Sequence, residues 1–275
     1  MRIPLPDRLR AHAEAMGGEV AVPRDASTIV LLRDGSDGAE TYLMRRQTTM
    51  AFAAGFYVFP GGGVQSSDTD PIAHVGPSWQ EWGDRLGCDA DRARGLVVAA
   101  VRETFEESGI LLAGADEHTV LADTSGPELA AARLALESKE LSLAQLLEQR
   151  GLVLRTDLVG AWSRWITPAF EPRRYDTFFF VAAVPEGQVV GELPGEADRA
   201  LWAPLSRVLE SVDRGEAVMM PPTIVTCREV AGLASGEAVA ASVAREVRAI
   251  EPRLVQVDGE WFIENDSDRS PEEEA

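Results

Sequence analysis

Several stretches of the chain carry a clear hydrophobic pattern between turn residues. Ser27-Thr28-Ile29-Val30-Leu31-Leu32-Arg33 is apolar and β-branched. It passes through Asp34-Gly35 and Asp37-Gly38 into Thr41-Tyr42-Leu43-Met44-Arg45, a pattern that predicts a β-hairpin. Residues 177–184 form a continuous apolar run suited to the middle of a sheet covered on both faces, and 158–165 read as a strand before it. Residues 56–59 predict a further strand that delivers a glycine cluster. Composition and end signals predict helices at 7–16, 96–108, 127–137, 142–149 with Ser142 as cap and Gly151 as stop, 221–230 and 237–248. Residues 254–257 and 260–263 flank Asp258-Gly259, the mark of a tight hairpin. This alternation fits an α/β/α sandwich of mixed sheet with a helical C-terminal extension over 205–264. No fixed-period repeat or linker divides the chain, so 1–264 is expected to form one domain, followed by a disordered acidic tail at 265–275.

The 96–108 helix carries the candidate chemistry. Glu103, Glu106 and Glu107 lie at offsets of three and four and share a face, with Arg102 beside them. Like charges at that spacing repel, so the face asks for a cation. Carboxylate oxygens are ligands for Mg²⁺ and Mn²⁺, and Mg²⁺ sites combine a few carboxylates with water and substrate phosphates. Gly109 is placed to stop the helix in a left-handed conformation, and Phe105 points to the opposite, core-facing side. The alternative is a solvated acidic face in a chain that is acidic throughout.

Arg102-Glu103-Thr104-Phe105-Glu106-Glu107-Ser108-Gly109-Ile110 resembles the second half of the Nudix hydrolase signature, Gly-x5-Glu-x7-Arg-Glu-(apolar)-x-Glu-Glu-x-Gly-(apolar), with Thr104 where an aliphatic residue is usual. Phe59-Pro60-Gly61-Gly62 resembles the family's entry loop. Five residues past Gly62 stands Asp68, one methylene shorter than the expected Glu. Between Asp68 and Arg102 there are 33 residues where the pattern has seven, so the motif is split by about 26 extra residues. The excess, 69–95, carries Trp79, Trp82, Pro71 and Pro77. It predicts a packed excursion with a short helix at 79–86 rather than a free linker. Trp165-Ile166-Thr167-Pro168 and Arg173-Arg174-Tyr175-Asp176-Thr177 add to a likeness with the Nudix subgroup that includes a peroxisomal coenzyme A diphosphatase; the likeness runs from about 28 to 222.

The resemblance implies a Nudix fold and hydrolysis of a diphosphate bond in a nucleoside diphosphate linked to another group. It also implies Mg²⁺ or Mn²⁺ held by Glu103, Glu106 and Glu107, with Asp68 as a further acid. Glu103 is implied to orient or deprotonate water, and Arg102 to fix the carboxylates. An acid upstream of a Trp comparable to Trp202 often supplies another ligand or the base; Glu196 is the choice here over Glu192. Gly61 and Gly62 let the backbone approach a ligand. Arg173 and Arg174, and Arg46 beside Arg45, are candidates to grip phosphate, against the alternative of surface salt bridges. The upstream coenzyme A pattern is only partly present: Arg46 remains, but Gln47, Ala51 and Ala53 replace its Ser, Arg and His. ADP-ribose, NADH and dinucleotides therefore stay open as substrates, as does a catalytically silent nucleotide-binding module.

At 275 residues and 45% hydrophobic content the chain has the material for a real core. A net charge of −19 repels polyanions and argues against broad nucleic-acid or anionic-membrane binding, leaving a small-molecule partner. Two cysteines, Cys88 and Cys227, make no disulfide framework, and three scattered histidines make no zinc pattern. No apolar run reaches transmembrane length. The N-terminal residues lack the apolar core of a signal peptide, and Ser270 to Ala275 is not a peroxisomal address, so a soluble cytoplasmic protein is expected. A homodimer is compatible with all of this, and nothing in the sequence locates an interface.

Overall fold

The computed structural model describes residues 2–4, 20–47, 55–191 and 197–264. The expected helix at 7–16, the expected tail at 265–275, Ala51, Ala53, Glu192 and Glu196 lie outside the described residues.

In chain order the strands begin with β1 (Arg2–Pro4), β2 (Arg24–Gly35), β3 (Gly38–Arg46), β4 (Tyr57–Val58), β5 (Gly61–Gly63) and β6 (His74–Val75). Helices α1 (Trp79–Leu86) and α2 (Ala90–Ser108) follow, then β7 (Ala113–Gly114), α3 (Pro127–Glu137), α4 (Leu143–Arg150) and β8 (Val153–Arg155). The remainder is β9 (Val159–Ile166), β10 (Tyr175–Ala183), β11 (Ala197–Pro204), α5 (Leu205–Asp213), α6 (Pro221–Val230), α7 (Ser235–Ser242), β12 (Ala249–Ile250), β13 (Arg253–Val257) and β14 (Glu260–Glu264).

The central mixed sheet has the order β11-β3-β2-β10-β9-β12, with β4 added to β3 and β5 to β2. Strand β10 lies inside it, parallel to β2 and antiparallel to β9. That placement explains its unbroken apolar sequence, because both of its faces are covered. Ile29 and Leu31 of β2 and Phe178 and Phe180 of β10 point into the core that contains α2. Val30, Leu32, Phe179 and Val181 alternate to the other side, under α5, α6 and α7. The C-terminal helices are thus the second cover of the sheet.

The residues between the two halves of the acidic motif fold back into this core. Ser78 caps α1 in a reciprocal box with Glu81, and Gly87 ends it at φ 66°. Trp82 is fully buried and meets Phe180 edge-on at 6.2 Å, while Trp79 packs against the His74 ring at 4.1 Å. Strand β6 joins β8 and β7 in a small sheet that ties the excursion to the segment after α2.

Several elements depart from their sequence patterns. Strand β11 pairs antiparallel with β3 where the sequence shows only a Trp after an acidic loop. Helix α5 and the small sheet were also not legible. The helix expected at 237–248 is shorter, since Arg245 donates to the Trp162 carbonyl and to Glu229 and lies 4.3 Å over the Trp162 ring. Helix α7 presses so closely on β9 that a Cβ on Gly160 would meet Ser242 Oγ at 2.0 Å. Asp258 and Gly259 both take positive φ, as the β13–β14 turn requires, and β14 also pairs with β1.

Trp82→Ala should cost about 3–5 kcal/mol, the usual loss for emptying a buried aromatic site. Urea denaturation followed by circular dichroism measures it, and an unchanged midpoint would mean that the excursion is not part of the core.

Candidate active site

Helix α2 starts at Asp89, whose side chain accepts from the Arg92 N–H, and stops at Gly109 with φ 78°. It lies close on β2, where Ser27 Oγ donates to the Leu96 carbonyl at 2.7 Å. Thr104, the departure from the signature, is buried, and its hydroxyl donates to the Ala100 carbonyl at 2.8 Å. The polar atom is satisfied within the helix, so the site accepts Thr in place of an aliphatic side chain.

Arg102 is 2% exposed and uses every donor it has. Its Nε donates to Asp68 Oδ1 at 2.8 Å and Nη2 to Asp68 Oδ2 at 2.9 Å, a two-pronged pair. Nη2 also donates to the Gly63 carbonyl at 3.0 Å, while Nη1 reaches Glu103 at 2.8 Å and Glu106 at 3.2 Å. Burial works against the guanidinium charge, but Asp68, Glu103 and Glu106 outweigh it, and the group stays cationic.

Asp68, expected as a further metal ligand, is buried against Arg102. Its carboxylate is 1% exposed and accepts both Arg102 prongs and the Gln65 N–H at 2.8 Å. It serves as the counter-ion of Arg102 and joins the loop after the glycines to the helix.

The glycine strand β5 pairs with β2 at residues 26–28 and lies against the acids. The Gly61 N–H donates to Glu107 Oε2 at 2.7 Å. A Cβ on Gly62 would meet the Glu103 carboxylate at 2.4 Å, and one on Gly61 would meet the Ser27 carbonyl at 2.5 Å, so a larger residue would displace Glu103 at the first position and push the loop off β2 at the second. Glu103 and Glu107 are part-exposed and Glu106 is buried. Burial pushes the Glu106 carboxyl up to about 7; Arg102 opposes this, and Glu103 and Asp68 add to it.

Three carboxylates, those of Asp68, Glu103 and Glu106, therefore surround one arginine, with Glu107 beside them against the glycine loop, an excess of negative charge that suits a hard divalent cation. Among the described residues no three acidic, histidine or cysteine side chains converge as a ready-made cage. Mg²⁺ does not need one, since it is commonly held by one or two carboxylates with water and substrate phosphates. The donor set fits.

The other expected residues are placed differently. Arg174 is buried and engaged elsewhere: it donates to the Thr167 carbonyl and the Ala21 carbonyl, each at 2.9 Å, and pairs with Glu251. It braces three chain segments, and it sits beyond the Tyr175–Arg24 end of the β10–β2 pair. Gly61 pairs at Thr28, four residues or roughly 13 Å along β2. The structure thus places Arg173 and Arg174 away from the acids; Arg173 is exposed beside the brace. Arg45 is paired with Asp198 at 2.7 Å. Arg46 ends β3, opposite Ala197. No motif pointed to the groups that cap the last turn of α2, where Arg133 Nε donates to the Glu106 carbonyl at 2.6 Å and the Gly191 N–H to the Ser108 carbonyl at 2.8 Å.

A glycine strand held against an acid-bearing helix, on a mixed sheet between helices, defines a Nudix site. The NUDT19 Nudix domain family matches residues 79–230, more than half of the chain, and the chain belongs to the Nudix hydrolase family. Among curated proteins it is 25% identical to the acyl-coenzyme A diphosphatase NUDT19 of Xenopus laevis, over 66% of this chain and 57% of that protein. To the human protein of the same name it is also 25% identical, over 73% of this chain and 62% of that one. The chain thus spans less than two thirds of these relatives' length. A crystal structure of a Nudix hydrolase from Alicyclobacillus acidocaldarius matches 84% of this chain and all of its own, at 30% identity and TM-score 0.66.

The Glu106 carboxyl holds its proton more tightly in the folded protein than its ordinary value of 4.5 allows. Its contribution to stability is therefore full below about 4.5 and lost as pH rises through about 7. With EDTA present, the melting temperature of the wild type relative to Glu106→Gln should fall across that window. A pH-independent difference would contradict the burial argument.

Proposed function

We propose that this protein hydrolyses a diphosphate bond in a nucleoside diphosphate linked to a second group, with Mg²⁺ or Mn²⁺ as cofactor. The observation that carries the reading is the Arg102 cluster, which fixes Glu103 and Glu106 at one guanidinium while Glu107 meets the glycine loop. Glu106 and Glu107 are the main metal ligands, with Glu103 placed to share the ion or to accept a proton from the attacking water. Bound there, a divalent cation neutralises phosphate oxygens and lowers the pKa of water. Arg102 holds the acids in place before substrate arrives, so little reorganisation accompanies the reaction. Gly61 and Gly62 give the diphosphate close approach to the helix. Glu196 is the further candidate for the base.

For the substrate, the names of the relatives favour coenzyme A or an acyl-coenzyme A, cut to 4′-phosphopantetheine or its acyl form and 3′,5′-ADP. A second reading, ADP-ribose, NADH or a dinucleotide, is favoured by Gln47, Ala51 and Ala53 in place of the Ser, Arg and His of the coenzyme A pattern. Incubating the protein with each of these compounds and Mg²⁺ or Mn²⁺, and separating products by chromatography, decides between them. Glu107→Gln should lower turnover of the true substrate by on the order of a hundredfold or more, the scale of losing one preorganised electrostatic group. Absence of turnover on every compound, with nucleotide binding retained, would replace the enzyme by a binding module.

A further inference from the structure

A helix leaves its last four carbonyls without partners inside the helix, and in α2 these belong to Phe105, Glu106, Glu107 and Ser108. Each accepts from a different place. Phe105 accepts from the Gly109 N–H at 2.9 Å, Ser108 from the Gly191 N–H at 2.8 Å, and Glu107 from the Tyr42 hydroxyl at a long 3.5 Å. The Glu106 carbonyl accepts from Arg133 Nε of α3 at 2.6 Å, the one charged donor of the four. Three of these donors lie outside the helix, on β3, on α3 and on the segment after β10. Two of the carbonyls belong to the glutamates whose side chains carry the proposed metal site.

Arg133 is wedged into this junction. Its Nη1 lies where a Cβ on Gly191 would sit, at 2.7 Å, and 3.7 Å from one on Gly109. The guanidinium thus fills the space between the end of α2 and the segment after β10, using the room that Gly191 leaves. A cation at a helix C-terminus also offsets the negative end of the helix dipole, which here points toward a turn already carrying Glu106 and Glu107.

We infer that Arg133, outside the acidic motif, is a positioning residue: by clasping the Glu106 carbonyl it sets the rotation of the last turn of α2 and so the aim of the Glu106 and Glu107 side chains. The inference rests on the metal role proposed for those acids. Groups that orient metal ligands from outside typically carry tenfold to hundredfold effects on affinity, so the clasp is large enough to measure.

The test is Mn²⁺ binding to the substrate-free protein, read from the electron paramagnetic resonance of free Mn²⁺, beside thermal melting. Arg133→Ala should weaken binding about tenfold. Arg133→Lys, which keeps a cation at the helix end, should stay within about threefold of wild type. Leu129→Ala removes a core side chain from the same helix α3 without touching the carbonyl, and should lower the melting temperature with no change in Mn²⁺ affinity. Wild-type affinity in Arg133→Ala, or a loss in Leu129→Ala equal to it, overturns the inference. Should Arg133→Ala fail to fold, Arg133→Gln takes its place in the same comparison. Glu107→Gln is the reference: weakened binding there with Arg133→Ala unaffected sinks the clasp alone. Equal binding by wild type and Glu107→Gln sinks the metal site itself, and the inference with it.

Discussion

The buried Arg102 guanidinium is the constraint around which the active end of this protein is built. Taking a cation out of water is costly unless its charge and all of its donors are met. Here five N–H groups find Asp68, Glu103, Glu106 and the Gly63 carbonyl. Those partners come from the loop after the glycines and from the helix itself, so satisfying one residue docks two chain segments. The same arrangement lets three acids crowd into a part-buried space that would otherwise repel them. Its surplus negative charge is what remains for a divalent ion to neutralise.

The rest of the fold keeps that junction rigid. Helix α2 is pressed on β2 and β10 by Ile29, Leu31, Phe178 and Phe180. The opposite face of the same strands is sealed by the C-terminal helices through Val30, Leu32, Phe179 and Val181. A sheet covered on both sides cannot slide without breaking two cores, and the glycine strand paired to its β2 inherits that stiffness. The residues that split the motif do not loosen it. They extend α2 toward its N-terminus and add Trp82 to the core, with Gly83 packed against the Cys88 carbonyl. An interruption in sequence is thus a continuous packing unit in space, and the two halves of the site still meet.

Charge pairs away from the acids show the same economy of arginines in a chain of net charge −19. Arg174 ties the segment before β2 to the β9–β10 connection and to Glu251. Arg92 and Arg164 share Asp176, with Asp25 completing the group, at the same end of the sheet. The Asp176 carboxyl is held below its usual range: burial works against its charge, but the two guanidinium groups more than compensate. Arg174, a candidate phosphate ligand in the sequence, holds chain segments together in the structure.

What the sequence determined by itself was whatever depends on neighbours along the chain. The β2–β3 hairpin followed from apolar runs around a glycine turn, α4 from its cap Ser142 and its stop Gly151, α3 from its composition and α1 from the two tryptophans of the excursion, because those signals lie within the segment itself. The acid spacing of Glu103, Glu106 and Glu107 was legible for the same reason, and the Nudix likeness followed from it. Only the tertiary structure decided what each charged residue faces. Asp68 stands at the spacing of a ligand and becomes the counter-ion of Arg102; Arg174 is drawn away by two carbonyls and Glu251. Helix α7 ends early because Arg245 is captured by Trp162 and Glu229. Arg133 reaches the Glu106 carbonyl across 27 residues. A long side chain chooses its partner by what surrounds it in three dimensions, and local spacing along the chain carries no record of that choice.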